Sequence, residues 1–136
     1  MKDIQPKVKE IKSKVKKIQP KVERKLHKLD ATNQSTGRLG TQIALILRGK
    51  NKPEYQAHLD IGDIVEVYNI KLLKFTGKKL EQKEHIRYSG YQGGIKRTKI
   101  LDLLKSNPGE ILRHAVRDML PPTRLRNNMM KRLIIK

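Results

Sequence analysis

The stretch IGDIVEVYNI, residues 61–70, decides the fold of this chain. Its centre is nearly continuously apolar, with Ile64, Val65, Val67 and Tyr68 interrupted only by Glu66. A strand that is buried on both faces has such a run, whereas a strand with one solvated face alternates apolar and polar residues. Residues 61–70 therefore predict a strand buried on both faces, as in a parallel sheet.

Helix signals lie on both sides of this strand. Ser35 and Thr36 predict the cap of a helix over 37–48, and Gly49 predicts its end. Asn107-Pro108-Gly109-Glu110 has the cap, first-turn proline and acidic first turn of a second helix, which Pro121-Pro122 ends. Further predicted elements are strands at 26–31, 85–88 and 133–135, a short apolar run at 72–75, a short helix at 98–104 and a last basic helix capped by Thr123. This alternation predicts an α/β domain with right-handed crossovers.

The charge of the chain points to a polyanionic partner. Among 136 residues, 32 are Lys or Arg and 13 are acidic, which gives a net charge of +19. Such an excess predicts salt-dependent affinity for nucleic acid. The absence of Cys excludes disulfides and cysteine-ligated metals and fits a reducing cytosol. No apolar run approaches the ~20 residues of a membrane span, and the first residues lack the apolar segment of a signal peptide.

The basic charge is concentrated at the start of the chain, which predicts an arm, residues 1–29, and a body, residues 30–136. The arm has eleven basic and three acidic residues, a net charge of +8, and the body has 21 and ten, a net charge of +11. Apolar residues of the arm recur alternately four and three positions apart, as in a heptad seam: Ile4, Val8, Ile11, Val15, Ile18, Val22, Leu26 and Leu29. Pro20 interrupts this pattern, so we predict two short amphipathic helices, over 6–19 and 20–28.

Several roles for the arm stay open. The favoured one lays a lysine-rich face on RNA and the apolar seam on a protein or on the body. A self-associating coiled coil would bring like charges together, and a membrane-surface helix would lack aromatic anchors. Disorder in isolation is a further alternative. The candidate contact residues of the arm are Lys7, Lys9, Lys12, Lys14, Lys16, Lys17, Lys21 and Arg24.

A glycine-rich segment, YSGYQGGIKR at 88–97, suits close approach to RNA. Its glycines allow the backbone to lie against a bulky partner, its tyrosines offer rings for stacking, and two cations follow. The candidate residues are Tyr88, Gly90, Tyr91, Gly93, Gly94, Lys96 and Arg97. Because the chain has only four Tyr and one Phe, we expect recognition of folded RNA through phosphates, sugars and shape rather than of single strands.

No motif indicates catalysis, a metal or a cofactor. The four histidines have no metal-ligand spacing, and no GxSxG elbow occurs. The segment TGRLG at 36–40 lacks the Gly-Lys-Ser/Thr ending of a P-loop and the spacing of a dinucleotide fingerprint. This turn is expected either to pack tightly or to bring Arg38 to an RNA phosphate.

From about Asp30 to Ile135 the chain resembles the universal large-subunit ribosomal protein L13 family. Four segments carry the resemblance in order: DATNQSTGRLGTQIALILRGKNKPEY, LDIGDIVEVYNIKLLKFTGKK, YSGYQGGIK and AVRDMLPPTRLRNNMMKRL. The resemblance implies a three-layer single domain around a small, mostly parallel sheet. It also implies a non-catalytic structural protein of the large subunit that binds its rRNA, helps it fold during assembly and contacts neighbouring ribosomal proteins, as a monomer within the cytoplasmic ribosome.

The resemblance also implies which cations of the body contact RNA. Besides the glycine-rich segment, these are Arg48, Lys50 and Lys52, then Lys78 and Lys79, and finally Arg124, Arg126, Lys131 and Arg132. The chain departs from the family pattern at Asp118 and at Arg126-Asn127, and most of the arm has no counterpart in it. The alternative function is an RNA-binding or regulatory protein that acts off the ribosome through its arm.

Overall fold

A computed structural model of the chain describes residues 22–136. The strands are β1 (Leu26–Asp30), β2 (Ile64–Tyr68), β3 (Glu84–Tyr88), β4 (Ile95–Lys99) and β5 (Leu133–Ile135). The helices are α1 (Thr36–Arg48), α2 (Lys79–Gln82), α3 (Ile100–Ser106), α4 (Pro108–Met119) and α5 (Arg126–Lys131), with a 3-10 turn at Ile70–Leu72. The predicted α/β single domain is confirmed. No helix in this part of the chain is long and apolar enough to cross a membrane.

The sheet contains three strands in the order β1-β2-β5, and both pairs of neighbours are parallel. β2 occupies the centre, and Val65 and Val67 are completely buried. The run of apolar residues at 61–70 therefore correctly predicted a buried, parallel strand, although only its middle five residues pair as β2. Parallel strands need helical crossovers, and α1 supplies the one between β1 and β2.

Helix α1 fills the core on one side of the sheet. Its residues Leu39, Ile43 and Leu47 are completely buried, and the helix packs on α4. Gly49 ends it in the left-handed conformation at φ 78°, as predicted. Ser35 occupies the predicted N-cap position, but its side chain makes no capping hydrogen bond.

The predicted helix at 20–28 is wrong over its described part. Residues 22–25 have no regular secondary structure, and β1 begins at Leu26, which confirms the predicted first strand. Four residues of the arm, 26–29, therefore lie in the sheet. The predicted helix at 6–19 lies outside the described residues. The apolar run at 72–75 ends the 3-10 turn and then forms a single bridge between Lys74 and Ser35.

A two-stranded antiparallel hairpin stands apart from the sheet. It consists of β3, which was predicted, and β4, which was not. The helix predicted at 98–104 begins at Ile100, because residues 95–99 belong to β4. Ile100 N donates a hydrogen bond to the Lys83 carbonyl at 3.1 Å, so the base of the hairpin is closed where β4 runs into α3.

Candidate nucleic-acid interface

One face of the hairpin exposes apolar side chains. Residues paired across an antiparallel ladder share a face, so the pairs Tyr88–Ile95 and Ile86–Arg97 lie on the same side. Tyr88, Ile95 and Ile86 are 66%, 54% and 56% exposed. A small patch of apolar surface next to a guanidinium is suited to contact with sugars and bases.

The other face of the hairpin attaches it to the body. His85 stacks on His114 of α4, with ring centroids 3.8 Å apart, and its cross-strand partner Thr98 is half-buried. The pKa of His114 is lowered by burial and by the neighbouring His85. The stack therefore directs the apolar face of the hairpin away from the body.

Glycines shape the tip of the hairpin. Gly90 and Gly93 have φ angles of 83° and 69°, which favour glycine over side-chain-bearing residues. Gly94 N donates to the Tyr91 carbonyl at 3.0 Å and closes the turn. A Cβ on Gly93 would meet nothing within 4 Å. Backbone conformation thus explains this glycine within the free protein, and the turn leaves Tyr91 80% exposed.

The hairpin also brings two like charges together. Arg87 on β3 and Lys96 on β4 are direct cross-strand partners, and both are exposed. Like charges directly opposite each other destabilise a ladder. Sequence reasoning selected Lys96 but missed Arg87, although the alternation of β3 could have placed it opposite a cation once β4 was recognised. Arg97 is 65% exposed and lies 3.8 Å from Glu84.

The other predicted cations are distributed over the body. Those whose side chains are exposed are Arg38, Lys50, Lys78, Lys79, Arg124 and Lys131. Lys78 and Lys79 lie at the start of α2, which packs on α3 and β4, so they are close to the base of the hairpin. Arg38 lies in the first turn of α1 and Lys50 lies two residues beyond its end, so about 15 Å of helix separates them at 1.5 Å per residue. The structure therefore does not gather these cations into a single patch.

Several predicted RNA contacts instead have partners inside the protein, and the first is Lys52. Its ammonium lies 2.6 Å from the Asp63 carboxylate and donates to the carbonyls of Glu23 and Ile61 at 2.8 and 3.0 Å. His27 binds the other oxygen of Asp63 at 3.0 Å. Burial of Asp63 opposes its ionisation, but the hydrogen bonds from Lys52, His27 and the Lys25 amide outweigh it and lower the pKa.

The second such residue is Arg132, which is only 9% exposed. Both terminal nitrogens bind the Asp60 carboxylate at 2.6 Å, and one also donates to the Leu47 carbonyl at 3.1 Å. Arg24 lies 3.7 Å from the same carboxylate. We refer to Lys52, Asp60, Asp63 and Arg132 as the ionic cluster, because they join the loop before β2 to the start of β5.

The third is Arg126, which departs from the family pattern. Its guanidinium donates to the carbonyls of Pro121 and Leu120 at 3.0 and 2.9 Å, so this arginine holds the turn that follows α4. Arg48 is half-buried, and its guanidinium lies 5.5 Å from the centre of the Tyr55 ring, a distance that allows a cation–π contact. The arm candidates up to Lys21 lie outside the described residues.

Gly62, which sequence reasoning missed, supports the ionic cluster. A Cβ at this position would lie 1.7 Å from the Leu47 carbonyl oxygen, the same oxygen that Arg132 binds. The requirement comes from contact with a residue fifteen positions away, and a single sequence has no signal for it. Within residues 22–136 no group of three His, Asp or Glu side chains is placed to hold a metal ion.

Comparison with known proteins identifies the family. The model of the family described as "Ribosomal protein L13" matches residues 24–135. The chain belongs to the ribosomal protein L13 family. The match starts within the arm and includes all five strands. Family membership therefore agrees with the resemblance carried by the four sequence segments.

Relatives named "Large ribosomal subunit protein uL13" occur in diverse bacteria. The protein of Lawsonia intracellularis is 51% identical over 105 residues, 77% of this chain and 73% of the relative. That of Rubrobacter xylanophilus is 45% identical over 113 residues, 83% and 79% of the two chains. That of Aquifex aeolicus is 48% identical over 111 residues, 82% and 77% of the two chains.

Proposed function

We propose that this protein is a structural constituent of the large ribosomal subunit that binds large-subunit rRNA and supports subunit assembly. The names of the L13 relatives support the ribosomal role. The structure of the hairpin is the observation that supports RNA binding. The hairpin presents Tyr88 and Arg97 on one face, the cross-strand cations Arg87 and Lys96 on the opposite face, and Tyr91 at its tip, all of them exposed.

Phosphate binding accounts for the destabilising placement of two like charges opposite each other on the hairpin. A phosphate that lies between or beside Arg87 and Lys96 relieves their repulsion because its negative charge attracts both cations. Each phosphate contact also releases counterions from the RNA. Tyr91 at the tip can stack on a base or lie against a ribose. The hairpin therefore combines attraction for the backbone with a contact that depends on RNA shape.

The exposed cations elsewhere on the body extend this contact. Because Arg38 and Lys50 lie at opposite ends of α1, the protein engages separate RNA segments and holds them at a fixed distance. Such a role needs neither catalysis nor a cofactor. We place the protein in cytoplasmic ribosomes, next to rRNA and other large-subunit proteins, with no small-molecule substrate.

Sedimentation of cell lysates tests this function. We expect the full-length protein in large-subunit fractions, and we expect Arg87→Glu with Lys96→Glu to shift much of it to light fractions. Lys105→Glu, a charge reversal at an exposed position of α3, is the matched control and should stay with the subunit. Unaltered protein found mainly in light fractions would contradict the ribosomal role and favour action off the ribosome.

A salt titration of the free protein on large-subunit rRNA tests the mechanism separately. Neutralising one phosphate-binding cation, by Lys96→Met, should reduce the slope of log affinity against log salt by about 1. An unchanged slope for Lys96→Met would show that the hairpin cation does not contact phosphate, whatever the location of the protein in the cell.

A further inference from the structure

The two faces of the three-stranded sheet differ in their covering. Partner residues of a parallel ladder lie on the same face, and one face carries Val65, Val67 and Leu133, all buried against the helices. The opposite face carries Leu26 paired with Ile64, and Glu66 paired with both Lys28 and Ile134. We call this second surface the outer face.

The outer face leaves apolar side chains in solvent. Leu26 is 52% exposed and Ile134 is 42% exposed, and no helix within residues 22–136 buries them. Glu66 at the centre is 6% exposed and pairs with Lys136, and this hydrogen bond lowers the pKa of the carboxyl. Covering such a surface is favourable, because it removes exposed apolar side chains from water while the charge of the central carboxylate is already neutralised by Lys136.

The charge of the outer face selects what can cover it. Lys28 and Lys136 balance Asp30 and Glu66, so this surface is neutral within a body of net charge +11. RNA phosphates gain little from a neutral apolar surface, whereas a basic segment of the chain meets less repulsion here than over the rest of the body. Residues 1–21 contain eight Lys and two acidic residues, a net charge of +6.

The arm leads directly to this face. Its apolar seam continues through Val22, which is 36% exposed, to Leu26, which belongs to both the seam and the outer face. Residues 22–25 enter the sheet at the amino end of β1, where Ile64 N donates to the Lys25 carbonyl. About twelve helical residues would extend 18 Å, close to the ~17 Å length of a five-residue strand.

We propose that residues 1–21 fold back over the outer face, with the Ile and Val seam of the arm packed on Leu26, Ile64 and Ile134. The lysines of the arm then point outward and enlarge the basic surface of the protein. Pro20 precedes β1 by six residues in the sequence, and a proline suits a reversal of chain direction because it ends a preceding helix. This packing does not depend on the proposed function, since it concerns the free protein.

Paramagnetic broadening in the full-length protein tests the proposal. The chain has no Cys, so Lys12→Cys gives one attachment point for a spin label next to the seam residue Ile11. We expect the amide signals of Leu26, Ile64 and Ile134 to broaden, and that of Leu45, which is exposed on α1, to stay sharp. Broadening elsewhere on the body, or none at all, would overturn the proposal.

Substitutions at both partners sharpen the test. Ile11→Gln with Val15→Gln on the seam, or Ile134→Gln on the outer face, should reduce the equilibrium constant for docking about tenfold or more and weaken the broadening. Lys14→Gln with Lys17→Gln is the control in the arm and should leave the broadening unchanged. A mixture of spin-labelled protein with unlabelled, isotope-enriched protein checks for a second copy: broadening in that mixture would show docking between molecules and contradict the intramolecular packing.

Discussion

The hairpin and the ionic cluster both contain closely placed cations, but the cations of the cluster are paired with carboxylates and two cations of the hairpin are paired with each other. In the cluster, Lys52 and Arg132 each have a carboxylate at 2.6 Å. On the hairpin, Arg87 and Lys96 face each other, and the ion pairs within residues 22–136 include neither of them. Basic residues are therefore not equivalent as RNA-binding candidates: a cation with a partner inside the fold stabilises the protein, and one without it is available to phosphate.

The largest effect is expected where the backbone supports the cluster. Gly62→Ala would place a Cβ 1.7 Å from the Leu47 carbonyl oxygen, which neither backbone segment can accommodate without moving. We expect a loss of about 3 kcal/mol or more in the free energy of unfolding, measured by denaturant titration. Gly37→Ala is the control, because a Cβ there meets nothing within 4 Å. Equal stability of the two variants would contradict the close approach.

Arg132→Met should separate stability from RNA affinity. It leaves Asp60 without its two hydrogen bonds from the guanidinium, and breaking a buried pair costs about 3 kcal/mol. Lys131→Met, at the exposed neighbouring position, should change stability by less than about 0.5 kcal/mol but weaken RNA binding. Denaturant titration and RNA binding of both variants provide the measurements. A stable Arg132→Met protein with reduced RNA affinity would reverse our assignment.

The glycine at position 93 distinguishes two requirements of the hairpin. Gly93→Val places a β-branched residue at φ 69° and should cost about 1–2 kcal/mol in turn stability. Gly93→Asn keeps the turn, because Asn tolerates the left-handed region, while it adds a side chain to the tip. We expect thermal unfolding to detect only the Val variant. Reduced RNA affinity of the Asn variant would add a requirement for close approach, and unchanged affinity would restrict the glycine to the turn.

The smallest effect is expected at the junction between the hairpin and the body. The pKa of His114 is lower in the folded protein than its usual 6.5, so the unfolded chain binds more protons as the pH falls below 6.5. Because burial and the neighbouring His85 disfavour the protonated His114, the protein has its full stability above that pH and loses stability below it. Unfolding midpoints between pH 5 and 8 should show this decline. His114→Gln should remove part of it, and an identical pH profile would exclude the stack as its source.

Local chain signals predicted most of the body of the fold. The apolar run at 61–70 indicated a buried parallel strand, and Gly49 and Pro108 marked helix boundaries. Strand β4 was missed because its sequence, IKRTK, is mostly basic and exposed. It is a strand because it pairs with β3 in the hairpin. The helix predicted at 20–28 is wrong over residues 22–28. The heptad spacing of apolar residues continues to Leu26 and Leu29, but these two residues belong to strand β1.

Individual site residues were harder to predict than the fold. Nothing local distinguishes Lys52 or Arg132 from Lys50 or Lys131, because the difference is a carboxylate that the fold brings in from another segment. Asp60 and Arg132 are 72 positions apart. Residue type and charge density indicated a nucleic-acid partner, but the tertiary structure decides which cations can reach one.

The strand order β1-β2-β5 has a consequence for how the protein reaches its native state. Val65 pairs with Leu133, 68 positions along the chain, whereas Tyr88 pairs with Ile95 only seven positions away. Closing a long loop costs more entropy and is slower than forming a local turn, and hairpins form in about 1–10 μs. The hairpin is therefore expected to take shape while the central sheet is still incomplete, so the proposed RNA-binding element forms before the core of the protein has assembled.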